Sequence, residues 1–336
     1  MLELVALFMG VSIWLYCLLG GADFGAGILE LFASRENIAK QRKIVNKALA
    51  SVWEVNHIWL ILALVICFNA FPAAWSRIAI TFHIPLTLML IGIVCRGCAF
   101  TFRSYDVFKD ESQMVYNRFF TVSSLLTPFS LGLVAGGLIL GRINPWSNDF
   151  VEAFVAPWFN LFSFTLAVFI CVLFTYLASV YIVGETSDRA IKTAFISRAK
   201  GWMAVAVLTG GVVFVTGWFT HADLFQRFLG DTFSLFCMGI TTLLLVPGWI
   251  ALNERAVWIP RILVAGQFTF IVLGWYNVQH PYLIPPSPEF GYPGLTLYDA
   301  AAGSAVLNHL AVALIAGAVL IFPSMFYLFR VFKVRT

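Results

Sequence analysis

Nine runs of about twenty or more mostly apolar residues follow one another along this chain, and no water-soluble core could bury them all. They are 3–32, 50–71, 77–102, 117–141, 159–184, 201–220, 230–251, 258–277 and 303–330. A helix rises 1.5 Å per residue, so crossing ~30 Å of hydrocarbon takes ~20 residues. Of the 336 residues, 60% are hydrophobic and only 11% are charged. A soluble domain carries about 25% charged residues, so this chain has too little charge to cover a water-facing surface. Lipid is its solvent. The fold class expected is an all-α polytopic membrane protein with nine transmembrane helices.

The basic residues test that count. Seventeen of the 21 Lys and Arg fall in alternate segments: 33–49, 103–118, 185–200, 252–261 and the C-terminal tail. The opposite connections hold only Arg77, Arg142 and Arg227, and Arg96 lies within a run. Cytoplasmic connections collect Lys and Arg, so the N-terminus is expected outside and the C-terminus in the cytoplasm. The net charge of +4 then follows topology and does not point to nucleic acid. The chain opens Met1-Leu2-Glu3, without a basic stretch or a small-residue cleavage site, and its first run reads as a span rather than a leader. Cys17, Cys67, Cys95, Cys98, Cys171 and Cys237 all sit in apolar runs, where a thiol behaves as a small hydrophobe, so no disulfide framework is expected. The outside connections around Asn144-Pro145-Trp146 and His280 to Pro288 suit extended segments near the interface. Asp299 is the expected N-cap of the last helix. No connection is long enough for a soluble catalytic domain, so any chemistry belongs in the membrane or on a partner.

Charges at the centre of a membrane helix cost ~2.5–3.5 kcal/mol on insertion scales. Polar residues retained within the runs are therefore the functional candidates. Trp53-Glu54-Val55-Asn56-His57-Ile58-Trp59 places Glu54 and His57 at i and i+3, on one helix face. Glu-x-x-His is half of a carboxylate-bridged di-iron site, which needs a second copy and two further glutamates. No second copy exists, and no metal site is expected. Glu54 is either part of a polar cluster satisfied by neighbouring helices or a proton-uptake group. Gly20 to Gly27 encloses Asp23, with Gly21 and Gly25 at the small-xxx-small spacing that lets helices approach closely. Asp23 falls toward the cytoplasmic end, where it either caps or snorkels, or serves as a buried proton-handling or pairing group. In Cys95-Arg96-Gly97-Cys98 the two thiols lack the further ligands that structural zinc needs. Arg96 cannot lose its charge and is the expected counter-ion of Asp23 or Glu54. His57, His83 and His309 lie singly on different runs, so no haem is expected on this chain alone.

These residues resemble a known family. Gly21-Ala22-Asp23-Phe24-Gly25-Ala26-Gly27 is similar to the G-F-D-L-G-x-G signature of cytochrome bd quinol oxidase subunit II. Trp53 to Leu60 resembles its W-D-G-N-x-x-W-L. Phe71-Pro72, Arg96-Gly97, Ala99-Phe100, Phe102-Arg103, and Leu295 to Ala300 with Ser304 follow in the family's order. The resemblance implies two four-helix bundles, 1–141 and 159–277, with 303–330 as a peripheral helix. It also implies a heterodimer with a subunit I that carries b- and d-type haems and the quinol-binding loop. A small single-helix subunit is a further candidate partner, and a quinone or lipid a candidate ligand. The setting implied is a bacterial or archaeal cytoplasmic membrane. Carried over residue by residue, the proton-uptake role falls on Glu54 and Asp23, supported by Trp53, Asn56, His57 and Arg96.

The departures from the family pattern are specific. Glu54 stands for Asp, Val55 for Gly, Ala22 for an aromatic, Tyr116-Asn117 for Trp-Asp, and Thr101 for a Glu found in some members. They mark a divergent branch and leave open a complex with a different terminal acceptor. A secondary transporter with a broken, Gly-rich first helix is the alternative from another class, and a purely structural scaffold is the third.

Overall fold

The computed structural model describes the chain except residues 34–37, 50–52, 106–111, 187, 221–222 and 334–336. Inside lipid, each backbone N–H and C=O must be satisfied within its own segment, and the chain is accordingly almost all helix. The first span is α1 (Leu2–Leu15), a π-helical turn (Tyr16–Gly20) and α2 (Gly21–Leu31). Then come α3 (Ile38–Leu49), α4 (Trp53–Ala70), α5 (Pro72–Thr81), α6 (His83–Tyr105) and α7 (Ser112–Leu140). The second half runs α8 (Phe150–Phe154), α9 (Leu161–Ile182), α10 (Arg189–Phe219), α11 (Asp223–Gly230), α12 (Thr232–Leu243), α13 (Leu245–Asn253) and α14 (Trp258–Gln279). A small antiparallel hairpin, β1 (Tyr282–Ile284) with β2 (Leu295–Thr296), leads to α15 (Ser304–Lys333). Among the described residues, eight helices are long and apolar enough to cross a membrane, and the bent pair α4–α5 makes up to nine.

Several boundaries differ from the sequence reading, each for a local reason. The expected span 50–71 is α4, which ends at Ala70, and the chain then bends by 117° into α5. Phe71 sits between them at φ −133, ψ 56, and Pro72 opens α5. A residue before proline is pushed out of the helical region, so the chain turns there. Helix α5 takes residues assigned to a connection and to the start of the third span, which begins at His83 instead. Segment 185–200, expected as a connection, is mostly the first turns of α10. Asp188 caps that helix by accepting from the backbone N–H groups of Ala190 and Ile191. Segment 33–49 contains the amphipathic α3, with Gln41 and Val45 buried. The expected run 230–251 is two helices, and Pro247 near the start of α13 cannot supply the N–H that would continue α12. Asp231, outside the span, caps α12; the Ser234 backbone N–H holds its carboxyl below the usual range. Asp299 is not the cap of the last helix. Its Oδ2 accepts from the N–H and hydroxyl of Thr296, and α15 starts at Ser304.

Helix α9 is the centre of the molecule, 67% buried over its most apolar window. Helices α2, α7 and α10 pack around it, α6 packs on α7, and α12 pairs with α14. Helix α15 lies against α1 and α4. Small residues set the closest approaches. A Cβ on Gly25 would land on the carbonyl of Phe174, and one on Gly21 would lie 2.6 Å from the Phe174 ring. Gly132 and Gly136 of α7 abut Ala167 and Ser163 of α9 in the same way. The spacing of Gly21 and Gly25 thus does what the sequence suggested, and Gly132 with Gly136 repeats it.

Candidate functional site

The close approach of α2 to α7 and α9 carries Asp23 into the interior, where it is 1% exposed. Arg96 of α6 meets it there. Its Nη1 donates to Asp23 Oδ2 at 2.8 Å, its Nη2 to the Asp23 backbone carbonyl at 3.0 Å, and its Nε to Ser124 Oγ at 3.0 Å. The guanidinium lies between two rings, 4.8 Å from Phe24 and 4.9 Å from Phe120. Rings that present their faces to a desolvated cation supply part of the stabilisation lost with its water. Of the two expected counter-ions, Asp23 is the one the structure shows. Asp23 Oδ1 is buried with no partner among the described residues.

One level on, seven residues along both helices, the arrangement repeats. Arg103 of α6 donates from Nη1 and Nη2 to Glu30 Oε2 and Oε1 of α2, at 3.1 and 2.8 Å. Arg42 of α3 donates from Nε to Glu30 Oε2 at 3.2 Å, and Arg103 also bonds Asn46. Arg103 lies 4.6 Å from the centroid of the same Phe120 ring. Seven residues are two helical turns, about 10 Å. Two pairs in the same order on both helices require α2 and α6 to run in the same direction, as the first and third of an alternating set of spans should.

Helix α4 brings the third group. Asn56 Nδ2 donates to the Leu19 carbonyl in the π-turn at 3.4 Å. Isolated π-turns are concentrated at functional sites. The His57 ring stands edge-on to Phe24 at 6.0 Å and Tyr16 at 6.5 Å. The backbone of Glu54 begins α4 one turn before His57, but the side chains of Trp53 and Glu54 lie outside the described residues. Asp23, Asn56, His57 and Arg96 therefore converge. Sequence reasoning missed Glu30, Arg103, Arg42 and Ser124, although Glu30 and Arg103 each stand seven residues from a residue it had singled out.

His83 and His309 each point Nδ1 at a backbone carbonyl on the preceding turn, 2.9 and 2.7 Å away. Among the described residues no group of three or more His, Cys, Asp or Glu side chains gathers.

A family model described as Cytochrome bd terminal oxidase subunit II matches residues 1–332. The chain belongs to that family. Among curated relatives, the cytochrome bd ubiquinol oxidase subunit 2 of Bacillus subtilis is 29% identical over 196 residues, 56% of each chain. The cytochrome bd-I ubiquinol oxidase subunit 2 of Escherichia coli is 26% identical over 135 residues, 40% of this chain and 35% of that one. These matches span about half of the first relative and a third of the second. A putative cytochrome bd menaquinol oxidase subunit II of Bacillus subtilis is 23% identical over 334 residues, 95% of this chain and 92% of that one. The solved bd oxidase of Geobacillus thermodenitrificans contains a chain with the same fold, at a TM-score of 0.79 and 19% identity over 99% of this chain and 100% of that one. Within the subunit II family, this chain is a multi-pass membrane protein whose buried polar groups concentrate between α2, α4, α6 and α7.

Proposed function

We propose that this chain is the haem-free subunit II of a cytochrome bd-type quinol:O2 oxidoreductase in the bacterial cytoplasmic membrane. It supports a haem-bearing subunit I, which holds the b- and d-type haems that carry out the redox chemistry. Its helices form two four-helix bundles, 1–141 and 159–277, with 303–330 peripheral; the N-terminus is outside and the C-terminus cytoplasmic. In this reading Glu54 and Asp23 carry protons from the cytoplasmic side toward the partner. Supporting it is the family match over nearly the whole chain. The observation that carries the proton path is Asp23 Oδ1, a buried acceptor without a partner among the described residues, on a carboxylate whose other oxygen is fixed by Arg96. Such an oxygen is available to a water or a passing proton while the guanidinium holds the group in place.

The complex purified from its native membrane tests this. Glu54→Gln removes the exchangeable proton and keeps the shape. It should slow quinol-dependent O2 uptake ~100-fold, the lower end of the range for a positioned acid–base group, with assembly and haem spectra intact. Unchanged turnover refutes the role of Glu54 and leaves a scaffold. Intact haem spectra with quinol oxidised but no O2 consumed would indicate a different terminal acceptor. The transporter alternative needs a broken first span, and Leu2–Leu31 passes as one continuous span.

A further inference from the structure

We propose that a crevice between α2, α3 and α7 binds the headgroup of an anionic phospholipid carrying hydroxyls, a phosphatidylglycerol. The inference is independent of the proton path. The crevice is about 400 Å³ and opens at the level of Glu30, the end of the molecule richest in Lys and Arg. Its walls combine three properties seldom found together.

The first is an excess of positive charge among the described residues. Glu30 lines the crevice, but Arg103 already engages both its carboxylate oxygens. Arg42 spends only Nε on Glu30, and its side chain remains 29% exposed. Arg118 is exposed and has no ion-pair partner among the described residues. Among the described residues, the one lining carboxylate, Glu30, is held by Arg103, and the guanidiniums of Arg42 and Arg118 line the opening beside it. Guanidinium forks match the oxygens of a phosphodiester, and basic pockets between membrane helices on the cytoplasmic side are where anionic headgroups settle.

The second is an orphan acceptor. Asn117 lines the same crevice, and its Oδ1 is buried without a partner among the described residues. A phosphate has no donor for it, whereas a glycerol headgroup has two hydroxyls. The third is an apolar lip. Leu31 is 44% exposed and Met114 is 58% exposed at the edge of the crevice, positioned for the first methylenes of an acyl chain. Phosphatidylethanolamine could supply a donor to Asn117, but its ammonium would meet the same guanidinium pair and be repelled. The charge selects the anionic lipid, and the orphan amide selects the hydroxyl headgroup.

The test uses the intact complex in mild detergent, titrated with short-chain phosphatidylglycerol, phosphatidylethanolamine or inorganic phosphate. Bound lipid is counted by native mass spectrometry. Phosphatidylglycerol should bind at least about fivefold more tightly than phosphatidylethanolamine, the effect of about one basic residue at an anionic headgroup. Arg118→Gln should lose about that factor, Arg118→Lys should keep most of the affinity, and Asn117→Asp should weaken binding by adding a negative charge. Met114→Trp fills the crevice from its exposed lip without touching a charge and should also displace the lipid; it decides the matter if Arg118→Gln does not assemble. Equal binding of the two lipids, unchanged affinity in both Arg118→Gln and Met114→Trp, or displacement of phosphatidylglycerol by an equal concentration of inorganic phosphate would overturn the proposal. So would a Met114→Cys thiol that is unreactive in the complex yet reactive in the free chain, since the crevice would then be a subunit contact.

Discussion

Arg96 is among the largest fully buried side chains in the protein, and all three of its nitrogens donate. An ion pair removed from water gains little net stability, because desolvation offsets the Coulomb attraction; breaking it by removing one partner is what costs, at ~3–5 kcal/mol. Arg96→Ala should therefore abolish or severely reduce assembly, measured as yield of folded chain and its thermal midpoint. Replacing both partners by neutral groups of similar shape, Asp23→Asn with Arg96→Gln, should recover ~1–3 kcal/mol of that loss, as coupled neighbours do. If the double variant is no more stable than Arg96→Ala, the pair is not what makes Arg96 necessary. The same asymmetry accounts for the whole cluster. Glu30 is paired with two arginines, Arg103 is backed by Asn46, and both guanidiniums share the Phe120 ring.

At the scale of elements, glycine contacts decide how far apart the helices stand, and this sets whether those side chains can meet. Lipid is as apolar as leucine, so helices in it associate through close packing and polar contacts rather than by the hydrophobic effect. Gly25→Ala would place a methyl group on the Phe174 carbonyl and force α2 away from α9. The expected cost is ~1–3 kcal/mol, the range for overpacking a filled interior, read as a lowered thermal midpoint. Gly211→Ala is the control: nothing lies within 4 Å of its added Cβ. That change should be neutral or stabilising by up to ~1 kcal/mol, because alanine suits a helix better. Equal effects at the two positions would show that α2–α9 contact does not limit stability. The small-xxx-small spacing at Gly21 and Gly25 was legible in the sequence. Its partner, the Phe174–Thr175 backbone on a helix some 150 residues away, was not, because spacing marks a surface and not what faces it.

Over the whole molecule, the alternation of basic connections agrees with the shared direction of α2 and α6 shown by the two ion pairs. Orientation across the membrane is the part still proposed, and labelling tests it. In intact cells, an impermeant thiol reagent should modify Ser147→Cys, beside the outer α8, and should reach Thr193→Cys in basic α10 only after the membrane is opened. The reverse pattern would invert the topology. Some features of the molecule could be read directly. The number of apolar runs, their basic connections and the ordered motifs gave the class, the approximate spans and the family. Others required neighbours. Expecting Asp299 to cap α15 failed because the hairpin ends by turning Thr296 back onto it.

The sequence by itself determined that this chain lives in lipid, roughly where it crosses, which end gathers the positive charge, and that Asp23 and Arg96 needed partners. Only the tertiary structure decided that they satisfy each other, that Glu30 and Arg103 form a second pair two turns away, and that the π-turn is tied to α4 through Asn56. The reason is physical. In a soluble protein the apolar stripe of a helix shows which side faces the core. In a membrane span both the core and the solvent are apolar, so hydropathy fixes where a helix begins and ends but not its rotation. That rotation is set by where glycines let two backbones touch, and it becomes visible only when both helices are in place.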